Sequence, residues 1–214
     1  MSILKIDNIS FSYHKNKPVL KNINFEFEKG TTYSITGKSG SGKTTLLSLI
    51  SGLETVQNGK IYYMDIDLAK IDKEKYRSRD IGVVFQSFNL LPHLTALENV
   101  VLSLDISGNK LGTKSKKKKA MMLLNKVGLD EDLANRRILK LSGGEQQRVA
   151  IARAISYDPD IIIADEPSGN LDGTTETEIM DLLVNLAKND DKCVIIVTHS
   201  PTVSERTDVK YRIG

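Results

Sequence analysis

Apolar positions along this chain follow three rhythms, and each points to a different kind of element. Near the start they interleave with polar ones: Ile3, Ile6, Ile9 and Phe11, then Val19, Ile23, Phe25 and Phe27. Successive side chains of a strand point to opposite faces, so this reads as two half-buried strands joined through a polar turn over residues 13–18, an antiparallel layer. A short β-branched strand is expected over residues 31–36, after the turn at Lys29 and Gly30. Later apolar runs are unbroken, over residues 82–85, 161–164 and 193–197. Such runs suit strands covered on both faces, as in a parallel sheet with flanking helices. Helical spacing marks Leu46, Leu47, Leu49, Ile50 and Leu53 in a helix over residues 44–53, and later Ile179, Leu182, Leu183 and Leu186. Residues 87–156 carry helical signals and no convincing buried strand. The expected fold is therefore α/β: a mostly parallel core sheet from residues 1–86 and 157–214, an N-terminal antiparallel β layer, and an inserted α-helical subdomain over residues 87–156. No internal repeat is evident.

Composition narrows the class. The chain has 214 residues, 40% hydrophobic and 27% charged, which suits one folded domain with a sizeable core. It contains no run of eighteen apolar residues, so no membrane-spanning helix is expected. The first ten residues lack the basic-then-apolar order of a secretory signal. Cys193 is the only cysteine, which excludes an internal disulfide and fits a reducing compartment; its apolar neighbours give it a packing role. A net charge of +3 is too mild to argue for nucleic acid. One tract is dense in charge: Lys110, Lys114 and Lys116, Lys117, Lys118, Lys119 precede the apolar Met121, Met122, Leu123, Leu124 and Val127. It reads as the solvated face of an amphipathic helix or as an attraction for anionic lipid headgroups.

The chemistry is carried first by Gly37-Lys38-Ser39-Gly40-Ser41-Gly42-Lys43-Thr44-Thr45, which satisfies the pattern G-x-x-x-x-G-K-[ST] between a strand and a helix. Glycines at Gly37, Gly40 and Gly42 let backbone N–H groups close around a phosphate. Lys43 supplies a point charge for the β- and γ-phosphates, and the Thr44 hydroxyl is placed to ligate Mg²⁺. The positive end of the following helix faces the same anion. The ligand class is a nucleoside triphosphate.

A second signal is the apolar run ending in Asp165-Glu166-Pro167. Ligands of open α/β sheets sit at the carboxyl ends of strands, so two acids arrive beside the phosphate loop. Asp165 serves a metal, and Glu166 accepts a proton from, or orients, an attacking water. A third is Leu141-Ser142-Gly143-Gly144-Glu145-Gln146-Gln147-Arg148. Ser142 and Glu145 have the spacing of a capping box, while Gly143 and Gly144 permit close approach of an anion.

Together these segments resemble the ATP-binding cassette (ABC) ATPases, over essentially the whole chain. Residues 37–45 are similar to the family's phosphate loop, residues 141–148 to its signature, and residues 161–166 to its acidic strand. Gln86 resembles the Q-loop glutamine, residues 168–172 the D-loop with Ser168 in place of threonine, and His199 the switch histidine. The resemblance implies a head-to-tail homodimer. Lys43, Thr44, Gln86, Asp165, Glu166 and His199 of one subunit would face Ser142, Gly143, Gly144 and Glu145 of the other across ATP. It further implies that Glu166, His199, Lys43 and Gln86 are catalytic, that Thr44, Gln86 and Asp165 hold Mg²⁺, and that Tyr13 stacks on adenine. An integral-membrane permease partner, a cytoplasmic place on the inner membrane face and no nucleic-acid partner follow from the same likeness. Residues 89–100 (NLLPHLTALENV) resemble the subgroup that serves lipoprotein release, macrolide export and export of bacteriocins or antimicrobial peptides. The alternative is a non-transport ABC ATPase that regulates a membrane partner, as in cell division.

Overall fold

A computed structural model describes residues 2–14, 17–169 and 171–214. Strand β1 (Ser2–His14) pairs antiparallel with β2 (Lys17–Glu28) on one edge and with β4 (Asn58–Tyr63) on the other, and β4 turns back into β5 (Ile66–Asp67). The loose spacing of Ile3, Ile6, Ile9 and Phe11 has a structural cause. The register with β2 slips between Ile6 and Ile9 and again before Phe11, and Asn8 sits at φ 53°. These bulges return all four side chains to the buried face. The strands also run further than expected, to His14 and from Lys17; the middle of the expected turn, Lys15 and Asn16, lies outside the described residues.

The second sheet is parallel. Its strands β3 (Thr32–Thr36), β6 (Ile81–Val84), β7 (Ile161–Asp165), β8 (Cys193–Val197) and β9 (Val209–Arg212) stand in the order β6-β7-β8-β3-β9. Its faces divide the protein's core. Ile162, Ala164, Val194 and Ile196 point into one apolar cluster, and Ile161, Ile163, Cys193, Ile195 and Val197 into the other. That period-two split is why the runs read as unbroken rather than alternating. The first cluster receives α3 (Ala96–Ile106), α4 (Thr113–Lys126), α6 (Gly143–Ala154) and α7 (Gly173–Lys188); the second receives α1 (Lys43–Ile50) and the antiparallel layer. Short helical turns include α2 (Lys73–Lys75), α5 (Glu131–Ala134) and α8 (Pro201–Glu205). Between β6 and β7 the only β pairing among the described residues is one isolated bridge, Thr95 with Arg137.

Two expectations need correction. Helix α1 starts at Lys43 and ends at Ile50, not Leu53, because Gly52 turns left-handed at φ 68° and Leu53 N–H closes back onto Ser48 O at 2.9 Å. Leu53 is therefore 60% exposed rather than part of the buried face. Strands β4, β5 and β9 escaped the pattern altogether. Strand β4 leaves its first three residues exposed, β5 has only two residues, and β9 buries only alternate side chains by half.

What holds β9 is tertiary. Asp208 accepts from Thr32 N–H at 2.8 Å and from the Thr32 hydroxyl at 2.7 Å, and it pairs with Lys188 at 2.8 Å. Tyr211 stacks on Phe25 with ring centroids 4.1 Å apart, and its hydroxyl donates to Glu26 O at 2.7 Å. Burial alone would raise the Asp208 pKa; the Lys188 ammonium and the two Thr32 donors outweigh it and bring the pKa from 3.8 down to about 2. A depressed carboxyl pKa contributes stability above its unfolded value, and this is lost as pH falls through the folded one. Because the Asp208 side chain is 38% exposed, solvent screening discounts the effect to about 1 kcal/mol. Asp208→Asn should thus lower unfolding stability by about 1 kcal/mol near neutral pH and by progressively less as pH falls through that window, as read from denaturant midpoints across pH.

Candidate functional site

Register brings the chemistry together. Ile35 of β3 and Asp165 of β7 both pair with Val197 of β8, so the loops leaving these three strands emerge side by side. From β3 comes the loop over residues 37–42. Gly40 and Gly42 lie at φ 77° and 95°, a conformation costly for other residues. Gly37 is needed for space rather than for a left-handed φ: a Cβ there would stand 2.5 Å from Ile213 O and from Ser41 Oγ. Its role is close passage of the chain after β9 as well as room for an anion. The Lys43 ammonium curls over the loop and donates to Gly37 O at 2.8 Å and Lys38 O at 3.2 Å.

From β7 come the acids. Burial, and then the charge of neighbouring Glu166, push the Asp165 carboxyl above the usual range, with Lys43 opposing. Glu166 has φ 46°, a left-handed conformation for a residue with a side chain, fixed by its N–H to Val197 O at 2.9 Å. Strain of this kind persists only where the surroundings over-determine it and clusters at functional sites. Its carboxylate is held by His199 Nδ1 at 2.7 Å and by the Thr198 hydroxyl at 3.2 Å. The Glu166 side chain is 13% exposed and the His199 ring 70%, so the histidine faces outward from a fixed carboxylate.

A cavity of about 430 Å³ joins Lys43, Thr44, Gln86, Asp165 and Glu166, with Ser39, Gly40, Gly42 and Thr45 along its floor. Tyr13, 57% exposed, forms one rim and rests edge-on against Phe11 at 5.0 Å, with its hydroxyl 3.4 Å from Thr45 Oγ1. The chemistry of the donor set fits a divalent cation that arrives with phosphates. Asp165, the exposed Thr44 hydroxyl and the Gln86 amide are too few to cage one unaided, and the described residues contain no cluster of three or more His, Cys, Asp or Glu.

Ser142, Gly143, Gly144 and Glu145 do not line that cavity. They form the capped start of α6, where Ser142 N–H donates to Glu145 Oε2 at 2.7 Å and Glu145 N–H to Ser142 Oγ at 3.3 Å. The Glu145 carboxylate is thus engaged within its own helix. A Cβ on Gly144 would stand 2.6 Å from Thr175, so that glycine also lets α6 pack on α7. Next to it, Ser168 donates to Glu176 at 2.8 Å, and Asp172 caps α7; Asn170 lies outside the described residues.

A model of the ABC transporter family matches residues 20–169. The chain belongs to that family. It is 44% identical to the uncharacterized ABC transporter ATP-binding protein YclH of Bacillus subtilis (strain 168), across 100% of this chain and 94% of the relative. It is 41% identical to the lipoprotein-releasing system ATP-binding protein LolD of Legionella pneumophila (strain Paris), across 96% of this chain and 92% of LolD. Among solved structures, the dimeric ABC transporter cassette MJ0796 of Methanocaldococcus jannaschii is 39% identical with a TM-score of 0.87, covering 98% of this chain and 94% of that one. A second dimeric MJ0796 structure, in a post-hydrolysis state bound to ADP and Pi, superposes with a TM-score of 0.88. This chain is accordingly the ATP-binding, ATP-hydrolysing subunit of an ABC transporter.

One residue of this ABC ATPase was not singled out by sequence. Arg153, near the end of α6, donates through Nη2 to Phe88 O at 2.9 Å and through Nη1 to Asn89 O. Both acceptors belong to consecutive left-handed residues, at φ 59° and 50°, just beyond Gln86. Burial pulls the guanidinium below its usual pKa, and among the described residues no carboxylate compensates it. Arg153 is a strut between α6 and the loop that carries Gln86. Only its place in a helical pattern was visible in the sequence, and that gives no partner. Arg153→Ala should cost about 1–3 kcal/mol in denaturant unfolding and speed amide exchange over residues 86–91; unchanged exchange there would remove the strut.

Proposed function

We propose that two copies of this chain close head to tail around two ATP molecules and drive a separate membrane permease. The observation that carries this is the one-sidedness of the 430 Å³ cavity: Lys43, Asp165 and Glu166 border it, while the glycine-rich start of α6 lies outside it. A second copy would bring Ser142, Gly143 and Gly144 to the open side, where α6 presents unsatisfied N–H groups to the terminal phosphate. Glu145 contributes by capping that helix start rather than by touching nucleotide. The dimeric form of MJ0796, at 39% identity, supports the arrangement.

Each residue then has a task. Lys43 exchanges its two loop carbonyls for β- and γ-phosphate oxygens, and residues 38–42 with Thr45 line the polyphosphate path. The Tyr13 ring offers a face to adenine. Thr44, Gln86 and Asp165 would hold Mg²⁺, which supplies charge neutralisation on the phosphate oxygens. Glu166 takes a proton from the attacking water as its oxygen bonds to the γ-phosphorus and the bond to the leaving oxygen of ADP breaks. The His199 bond keeps that carboxylate aimed.

The permease is expected to seat in a groove of about 720 Å³ between residues 72–79 and α3, which presents Leu91, Leu102 and Ile106 beside Arg77 and Arg79. Residues 87–156, the helical unit that carries α6, would move with it, and Arg153 would pass the motion to Gln86. No helix among the described residues is long and apolar enough to cross a membrane; membership of the transporter family supports a place on the cytoplasmic membrane face, held there by the permease. Likeness to LolD supports export or extraction of a lipoprotein, peptide or other amphipathic compound. ATP is the only nucleic-acid-like ligand expected.

Glu166→Gln should slow hydrolysis by at least about a hundredfold and accumulate an ATP-bound dimer, read by phosphate release and light scattering. A wild-type rate would remove Glu166 as the base, and a persistently monomeric ATP complex would overturn the clamp. Lys43→Ala should abolish most ATP binding in equilibrium titration.

A further inference from the structure

Charge on this chain is unevenly placed. Residues 106–129 hold seven lysines and no acid, arginine or aromatic residue, whereas the chain as a whole is only +3, so the remainder is net acidic. These lysines sit where helix physics disfavours them. Helix α4 begins at Gly112 without a side-chain cap and has no acid in its first turn, yet Lys114, Lys116 and Lys117 crowd its positive end. Like charges three and four residues apart, such as Lys114 with Lys117 and Lys118, add to the cost. A local rule broken without an internal gain points to a role outside the chain. Little inside the protein relieves it. Lys116 pairs with Asp105 at 2.6 Å and Lys126 with Asp190 at 2.5 Å, but among the described residues Lys110, Lys114, Lys117 and Lys118 form no ion pair. Lys117 only feels Glu98 at longer range.

The exposed side of the segment is not purely polar. Leu111 is 43% exposed just before the helix, and Met122 is 63% exposed one turn beyond Lys118 on the same face. Ile106, 70% exposed at the end of α3, stands at the other end of the connecting loop. Apolar side chains bracketing a lysine stripe suit the boundary between headgroups and acyl chains. The absence of arginine and aromatic residues argues against nucleic acid, which is gripped by bidentate guanidinium groups and stacking rings. Lysine is a hydrated point charge, matched to a diffuse layer of lipid phosphates.

We propose that the exposed face of α4 and the loop preceding it form a docking surface for an anionic lipid bilayer. Lipid phosphates would neutralise Lys110, Lys114, Lys117 and Lys118 and offer acceptors to the uncapped first turn. Leu111 and Met122 would enter the interface. The contact is independent of the permease and of ATP turnover.

The test uses the purified full chain and sedimentation with two vesicle types, phosphatidylcholine alone and equal parts phosphatidylcholine and phosphatidylglycerol. The wild type should bind the mixed vesicles only and be released by salt at about 0.5 M. Replacing Lys110, Lys114, Lys117 and Lys118 by glutamine should lower partitioning by up to about a thousandfold while leaving ATP hydrolysis unchanged. Arginine at the same four positions should restore it, and L111S with M122S should weaken it several-fold. Amide exchange over residues 113–117 should slow on mixed vesicles. No partitioning by the wild type, equal partitioning to neutral vesicles, or an undiminished glutamine variant would each overturn the proposal. Tighter binding to single-stranded oligonucleotide than to mixed vesicles would assign the tract to nucleic acid instead. Because no permease is present, failure here leaves the transport reading intact.

Discussion

The parallel register of β3, β7 and β8 fixes where every charged group of the site stands. Ile35, Val197 and Asp165 lie at one level of the sheet, so the phosphate loop, the two acids and His199 all leave it at the same edge. These strands are buried but for the last residues of β3 and β7, and a slip of one residue would move their side chains to the opposite face of the sheet. The site inherits that rigidity. Positions that must be held to fractions of an ångström rest on the least deformable part of the molecule.

Upon this frame the local chemistry is held under tension. Burial, and then the charge of adjacent Glu166, raise the Asp165 carboxyl against the opposing Lys43 ammonium. Glu166 is kept in a left-handed backbone conformation by Val197, while His199 and Thr198 fix its carboxylate. Lys43 meanwhile bonds carbonyls of its own loop. Charge that is half-buried and incompletely balanced favours a ligand that brings both a cation and phosphates.

The helical unit adds surfaces rather than reacting groups. Its α6 carries the glycine-rich start at one end and Arg153 at the other, so a single helix joins that start to the loop bearing Gln86. Beside it lie the 720 Å³ groove and the lysine face of α4, two features that the hydrolytic chemistry does not require. Their shared location on residues outside the parallel sheet is consistent with a unit that engages membrane and partner while the sheet holds ATP.

By itself the sequence determined the elements whose residues carry their own local signal. Unbroken apolar runs gave β7 and β8, helical spacing gave α7, and Ser142 with Glu145 marked the start of α6, since propensity, burial period and capping act within a few residues of chain. The loop over residues 37–45 and the pair Asp165 and Glu166 were legible for the same reason: phosphate chemistry restricts which residues can stand at those spacings. Tertiary structure alone decided the rest. Strand β9 exists because Asp208 finds Thr32 and Tyr211 finds Phe25, partners more than a hundred and seventy residues away. Gly37 and Gly144 are glycine partly because other segments pass close by, and Arg153 acts on carbonyls sixty-five residues distant in the chain. Contacts between residues so far apart leave no periodicity in the sequence, because their geometry is set only when the sheet closes and the helices pack upon it.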